Sequence, residues 1–324
     1  MSALRRVAVL TSGGDAPGMN AAVRAVARTG AHRGVEVLGV RQGYGGLVRG
    51  EFVELGPRAV AGVIQRGGTF LGTSRLLEFR EASVRALALE QLRARAVDAL
   101  IVIGGNGTQS GAAALAREGA RVVGIASTID NDVEGCDVSL GTTTALDIAI
   151  EAIDRLKVTA ASIGRAFLVE VMGRDSGYLA LAAAVAGGAE AVVVPERATS
   201  PEELAAAIRK AHEVGKAHAI VVVAEGAALN AEELSRVFVE RHAELGFELR
   251  VTRLGHVQRG GAPGAFDRLL GSRLGACAVE RLLAGEHGVV VGLRGADIAS
   301  TPLDAVAEHR KPVPLYLFDL AATL

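Results

Sequence analysis

The sequence predicts an α/β protein with mainly parallel sheets, and three features of its 324 residues carry that expectation. Short, continuous apolar runs recur, helix-length stretches rich in Ala, Arg, Glu and Leu separate several of them, and many runs end in Gly or polar residues. Strands that are apolar along their whole length are buried on both faces, as in a parallel sheet covered by helices on either side. The strand candidates are 7–10, 35–40, 99–103, 122–125, 166–171, 191–194 and 219–224, and the helix candidates between them include 21–32, 83–95, 145–156 and 201–213. The apolar stretch 178–189 holds Gly187-Gly188 and stops at Glu190, so it reads as a buried helix of small residues and not as a membrane span. At ~150 residues per domain the length suggests two domains. No Pro- or Ser-rich linker separates them, so they are expected to interleave.

Composition narrows the functional class. Hydrophobic residues make up 50% and charged residues 22% of the chain, which excludes wholesale disorder. The 35 basic and 36 acidic residues nearly cancel, so overall charge does not hold this protein to nucleic acid. Two cysteines, Cys136 and Cys277, are too few for a disulfide framework. No signal peptide is expected before the first apolar run, so the reading is cytoplasmic, with neither membrane nor nucleic acid as partner.

Sheets of this kind bind ligands beyond the carboxyl ends of their strands, so the Gly-rich strand ends are the places to look. The first strand runs into Thr11-Ser-Gly-Gly-Asp-Ala-Pro-Gly-Met-Asn20 and then a helix. Free backbone N–H groups and the positive end of a helix at such a turn suit a phosphate. An ordinary tight turn is the alternative. A second example is Ile101-Val-Ile-Gly-Gly-Asn-Gly-Thr108, where Asn106 and Thr108 add oxygens for a metal ion or phosphate. Read alone, that segment is also a strand-to-helix turn capped by Thr108; two such cradles in one sheet point to a nucleotide. The third segment is Ala126-Ser-Thr-Ile-Asp-Asn-Asp132. If extended, it projects Asp130 and Asp132 to one side, where a carboxylate can accept the proton of an attacking hydroxyl. Glu170-Val-Met-Gly-Arg-Asp-Ser-Gly177, Ala224-Glu-Gly226 and Gly255-His-Val-Gln-Arg-Gly-Gly261 each join Gly to charged or polar groups suited to anionic or hydroxylated ligands.

Taken together, the TSGGDAPGMN, RGGTFLGTSR, TIDND, MGR and GHVQRGG segments resemble the bacterial-type ATP-dependent 6-phosphofructokinases, in family order over almost the whole chain. The resemblance implies two interleaved Rossmann-like domains, with mainly parallel sheets flanked by helices and the active site in the cleft between them. It divides the chain into a larger ATP-binding domain, 1–141 plus 254–303, and a smaller fructose 6-phosphate-binding domain, 142–253 plus 304–324. The implied reaction moves the γ-phosphoryl of ATP to the 1-hydroxyl of fructose 6-phosphate, with Mg²⁺ accompanying ATP. Gly14, Arg75, Leu76, Gly105, Asn106, Gly107 and Thr108 would line ATP, Asn106 also standing at the metal position. Asp130 would be the base, Thr128 would contact the transferring group, and Arg75 and Arg174 would offset transition-state charge. Thr128, Ile129, Asp130, Met172, Gly173, Arg174, Glu225, His256, Val257, Gln258 and Arg259 would hold the sugar phosphate. Arg165 and Arg250 match a pair supplied by a neighbouring subunit of a homotetramer.

Three departures from the family pattern bear on this reading. Asn106 stands where the family has a metal-holding Asp. Ser127 replaces the Gly usual in ATP users; pyrophosphate users have Lys there and an acid at the position of Gly107, and neither change is present, so ATP is expected. The family's allosteric effector site is only partly matched, by Arg24, Arg28, Glu190 and Lys216, with Lys157 for an Arg; Pro57, Gly62 and Val214 replace usual charged residues. Weak regulation is therefore expected. A catalytically impaired paralogue that acts as a ligand-binding or regulatory subunit, or a kinase for a related sugar phosphate such as tagatose 6-phosphate, are the alternatives. No GxGxxG with a downstream acid supports a dehydrogenase.

Overall fold

Continuous apolar runs do become parallel strands. A computed structural model describes residues 4–323. In chain order its elements are β1 (Arg6–Thr11), α1 (Met19–His32), β2 (Glu36–Val40), α2 (Gly43–Arg49), β3 (Phe52–Glu54), α3 (Ala82–Ala94), β4 (Ala99–Gly104), α4 (Asn106–Arg117), β5 (Val122–Thr128), β6 (Leu140–Gly141) and α5 (Thr142–Ile163). They continue with β7 (Ala166–Val171), α6 (Tyr178–Gly187), β8 (Ala191–Val193), α7 (Pro201–Glu213), β9 (Ala219–Ala224), α8 (Ala231–Glu240), α9 (His242–Leu245) and β10 (Leu249–Arg253). Last come α10 (Ala265–Leu283), β11 (Val289–Arg294), β12 (Asp297–Pro302), α11 (Leu303–Glu308) and α12 (Leu315–Thr323).

The chain divides into two compact units, Met1–Thr144 with Arg259–Lys311, and Ala145–Gln258 with Pro312–Leu324. The first unit holds a sheet ordered β12-β11-β5-β4-β1-β2-β3, with β6 beside β5. Its middle is parallel, and the two edge strands β3 and β12 are antiparallel. Apolar side chains fill both faces of the centre: every residue of β4 is buried, as are Val7 to Leu10 of β1. The expected mainly parallel α/β class is therefore what the chain adopts. Helix α4 returns β4 to β5 on one side while α1 returns β1 to β2 on the other, so the winding reverses between the neighbours β1 and β4. Ligands gather at the carboxyl ends of strands at such a reversal, and both Gly-rich loops leave the sheet there.

The second unit holds a four-stranded parallel sheet ordered β10-β7-β9-β8. Its strands β7 and β9 are buried throughout. Helix α6, made almost wholly of Leu and Ala, packs in one core with Val169, Val171, Val222 and Leu317, which bears out the buried small-residue helix. Helices α7 and α8 start with complete capping boxes, Ser200 with Glu203 and Asn230 with Glu233, so their first N–H groups are satisfied locally. Among the described residues no helix is long and apolar enough to cross a membrane.

Candidate active site

In the first unit the two cradles and the acidic turn lie side by side. Gly104 sits so close to the first cradle that a Cβ there would stand 2.6 Å from both the Ser12 carbonyl and Thr108 Oγ1. Only the missing side chain lets the loops meet. A Cβ on Gly105 would in turn lie 3.3 Å from Thr128 Cβ, which puts the second cradle against the acidic turn. A Cβ on Gly14 would fall 2.6 Å from an Nη of Arg259, so the guanidinium lies over the first cradle, its Nε buried without a partner.

Helix α4 begins at Asn106 with Gly105 as its cap and Thr108 already inside its first turn. The alternative of Thr108 as the cap is therefore corrected: its side chain is buried against Gly104, and its N–H bonds back to Gly105. Helix α1 starts at Met19, with Gly18 as cap at φ 97°, two residues after Pro17. Gly107 is exposed and a Cβ there would meet nothing within 4 Å, which leaves open space beside the cradle.

The loop that carries Arg75 and Leu76 is tied to this floor. Thr73 Oγ1 donates to the Gly13 carbonyl at 2.7 Å, Thr11 and Thr69 share a hydroxyl bond at 2.7 Å, and Asn20 grips both sides of the loop. Its Nδ2 donates to the Arg66 carbonyl at 3.0 Å and its Oδ1 accepts the Phe70 N–H at 2.9 Å. Arg75 itself is exposed, on a loop whose base is fixed. Asn20 and Thr73 were given no role by sequence reasoning; an Asn where a Gly-rich turn meets a helix was the available signal.

The acidic segment departs from the extended geometry expected of it. Strand β5 ends at Thr128, and the chain then bends, with Asn131 at φ 52°. Side-chain alternation therefore does not set the directions of Asp130 and Asp132. Asp130 is half-buried, whereas Asp132 is 9% exposed. The Asp130 N–H donates to Thr128 Oγ1 at 3.2 Å. Ser139 Oγ and Thr142 Oγ1 both donate to the Thr128 carbonyl, at 2.8 and 2.9 Å. Buried Ser127 donates to the Leu140 carbonyl at 3.1 Å and adds no bulk to the cradle. Beneath this turn, the buried carboxylate of Asp267 accepts N–H groups of Gly141 and Thr144, each at 2.8 Å, and the Thr144 hydroxyl at 2.5 Å. It thereby satisfies orphan donors at the start of α5.

Asn106 is the residue expected at the metal position, and its surroundings test that expectation. Its Nδ2 donates to the Asp132 carbonyl at 3.1 Å, while its Oδ1 is buried with no hydrogen-bond partner. Among the described residues no group of three or more His, Cys, Asp or Glu could hold a metal ion. Mg²⁺ characteristically takes one or two protein oxygens and completes its shell with water and substrate phosphates. A hard, unpartnered oxygen at the first turn of α4 fits that habit.

The second unit gathers the other half of the expected residues at three adjacent strand ends. Met172, Gly173 and Arg174 follow β7, Glu225 follows β9, and His256, Val257 and Gln258 follow β10. The Met172 N–H donates to the buried Gln258 Oε1 at 2.8 Å; the Glu225 N–H donates to the Val171 carbonyl at 2.9 Å and the Gly226 N–H to the Gly173 carbonyl at 3.0 Å. A Cβ on Gly226 would stand 1.8 Å from the Arg174 carbonyl, so only Gly permits this approach. Arg174, His256 and Val257 are exposed at this end, while Met172 and Gly173 are buried. Arg165 and Arg250 lie elsewhere. Arg165 precedes the six-residue strand β7 and Met172 follows it, about 23 Å away along the strand, and Arg165 and Arg250 reach Glu248 at 3.0 and 3.8 Å. Within one chain they do not join Met172 and Glu225.

The whole pattern can be set beside known proteins. The family model described as Phosphofructokinase matches residues 6–282. This chain belongs to the phosphofructokinase family. It is 48% identical over 322 residues to the ATP-dependent 6-phosphofructokinase 1 of Thermus thermophilus, covering 99% of each chain. It is 45% identical to the ATP-dependent 6-phosphofructokinase of Listeria welshimeri, again over 99% of each. The Pichia pastoris phosphofructokinase crystal structure in the T-state superposes with a TM-score of 0.89 at 38% identity; the match covers 95% of this chain but spans only 36% of that longer one. A pyrophosphate-dependent phosphofructokinase from Marinobacter aquaeolei shares the fold at a TM-score of 0.86 and 22% identity, covering 97% of this chain and 86% of that one. The resemblance read from the motifs is thereby borne out across the family's extent.

Three of the five residues matched to the family's effector site meet in the second unit. Lys216 Nζ donates to Glu190 at 2.8 Å, Glu190 also accepts the Ile220 N–H at 2.6 Å, and Lys157 Nζ lies 3.1 Å from where a Cβ on Gly188 would stand. Glu190 and Lys216 border a cavity of about 430 Å³ with Arg197, Lys210 and Phe318 on its wall. Arg24 and Arg28 sit on α1 of the first unit, half-buried and exposed respectively.

Proposed function

We propose that this chain is an ATP-dependent 6-phosphofructokinase, a kinase of glycolysis that converts fructose 6-phosphate and ATP to fructose 1,6-bisphosphate and ADP. One observation carries the reading: the Asp130 turn abuts the second of two touching Gly-rich helix-start loops at the reversal of a parallel sheet. An acceptor of protons and a cradle for a polyphosphate are the two parts that phosphoryl transfer requires.

In this reading Gly14 and Gly105 to Gly107 present backbone N–H groups to the phosphates, Thr108 lines the same cradle, and Leu76 borders the adenosine. Asp130 accepts the proton of the 1-hydroxyl as that oxygen bonds to the γ-phosphorus and the bond to the bridging oxygen breaks. Thr128 holds the turn and contacts the transferring group. Arg75 and Arg174 offset the charge that spreads over the γ-oxygens. Ile129, Met172, Gly173, Glu225, His256, Val257, Gln258 and Arg259 hold the sugar phosphate, with Arg165 and Arg250 serving a neighbouring copy in a homotetramer. Asn106 Oδ1 is the oxygen this chain would offer Mg²⁺, which neutralises phosphate charge when it arrives with ATP. A cytoplasmic location and weak effector regulation through Arg24, Arg28, Lys157, Glu190 and Lys216 complete the proposal.

Ser127 bonded to Leu140 and the open space at Gly107 favour ATP over pyrophosphate. A second reading, a poorly active paralogue that mainly binds ligands, draws on the neutral side chain of Asn106. A coupled assay on purified protein decides among them. Turnover of fructose 6-phosphate with ATP is expected; turnover with pyrophosphate alone would overturn the donor, and none with either would favour the binding protein.

A further inference from the structure

The turn that bears Asp130 is built around a neighbour to which no role has so far been attached. Asn131 adopts φ 52°, a left-handed conformation that Asn tolerates better than most side chains, and it is 2% exposed. Its amide is used at both ends. Oδ1 accepts the Ser139 N–H at 2.9 Å, and Nδ2 donates to the Asp137 carbonyl at 3.2 Å. Ser139 then reaches back with its hydroxyl to the Thr128 carbonyl at 2.8 Å. Residues 128 and 131 are thus pinned to the same returning segment, 137–142, and Asp130 is held between them. On the far side the Asp132 carbonyl accepts both Asn106 Nδ2 and the Lys311 N–H, at 3.1 and 3.0 Å. A side chain that merely filled space would need neither the left-handed backbone nor a two-ended clamp.

We propose that Asn131 is a positioning residue: by clamping the 137–139 loop, its side chain fixes the left-handed turn that aims the Asp130 carboxyl for proton transfer. This rests on the reading of Asp130 as the base. The geometry of a bound reactant is exacting, and a displacement of about 1 Å costs on the order of 100-fold in rate.

The test is a double-mutant cycle on the full chain, with kcat and KM measured for ATP and fructose 6-phosphate. Asn131→Gly keeps the backbone conformation accessible and deletes the clamp. It is expected to lower kcat by roughly 100-fold, with the KM for ATP within about twofold of wild type. Asn131→Asp keeps the acceptor for Ser139 and loses the donor to Asp137, so it should recover kcat to within roughly tenfold of wild type. In an Asp130→Asn background, Asn131→Gly should change kcat by less than about twofold, because no base remains to be aimed. Should Asn131→Gly fail to give a cooperative melt, the cycle is run with Asn131→Asp, whose smaller loss must likewise vanish in the Asp130→Asn background. Wild-type kcat in Asn131→Gly, or an equal loss in both backgrounds, overturns the positioning role while leaving the base in place. Wild-type kcat in Asp130→Asn itself overturns both.

Discussion

Replacing Asn106 by Asp should move two properties in opposite directions. Asn106 Nδ2 donates to the Asp132 carbonyl at 3.1 Å, and an ionised Asp has no proton to give. The variant loses that bond and turns a carboxylate oxygen towards a carbonyl oxygen at a site where Oδ1 is already buried and unpartnered. Losing that hydrogen bond and setting a charged oxygen against a carbonyl that keeps only the Lys311 N–H costs roughly 1–3 kcal/mol. For a two-unit chain of this size that is a fall of several degrees in melting temperature without metal. The same negative charge favours Mg²⁺: at ~4 Å and an effective dielectric of ~20, each pair of unit charges attracts by about 4 kcal/mol before desolvation. Divalent Mg²⁺ doubles that to about 8 kcal/mol, and if a sixth of it survives the Mg²⁺ concentration for half-maximal turnover falls about tenfold. Differential scanning fluorimetry in chelator and a Mg²⁺ titration of the ATP-driven rate read the two effects separately. A variant whose metal-free stability and Mg²⁺ requirement both match wild type would refute the reasoning.

Other predictions reach different parts of the molecule. Asp267→Ala strips three bonds from the start of α5 and leaves buried donors unpaired, so thermal unfolding should register a loss of ~3–5 kcal/mol. Gly226→Ala forces a methyl against the Arg174 carbonyl, and should raise the KM for fructose 6-phosphate while ATP binding, measured alone by calorimetry, holds. Burial pushes the Cys136 thiol up from its ordinary 9.0 to about 11. Because the folded value is the higher one, the stability it contributes is intact below pH ~9 and is lost as pH rises to about 11, ~3 kcal/mol in all. Urea melts of Cys136→Ser should lack that part of the alkaline decline, and the native thiol should resist iodoacetamide at pH 8.

Much of this was legible in the residues, for identifiable reasons. Runs such as Leu100 to Ile103 announce buried parallel strands because no polar face interrupts them, and the Gly clusters mark their ends because two backbones must nearly touch. The sequence could not disclose the edge strands: β3 and β12 are only partly buried and carry no continuous apolar signal. Nor could it show that the chain bends after Thr128, since a left-handed Asn131 depends on Asp137 and Ser139, several residues away. The tie of Asn106 to Asp132 is equally hidden, because it links two strand ends that only the parallel pairing of β4 with β5 brings side by side.

The most direct measurement is the rate of ATP-driven phosphorylation of fructose 6-phosphate by Asp130→Asn beside wild type. Removing a general base from phosphoryl transfer should reduce kcat by about 10²–10⁴, with the KM for each reactant changed only a few-fold. An amide at this position that turns over as fast as the carboxylate would mean that the proton leaves by another route, and the assignment of the site would fall with it.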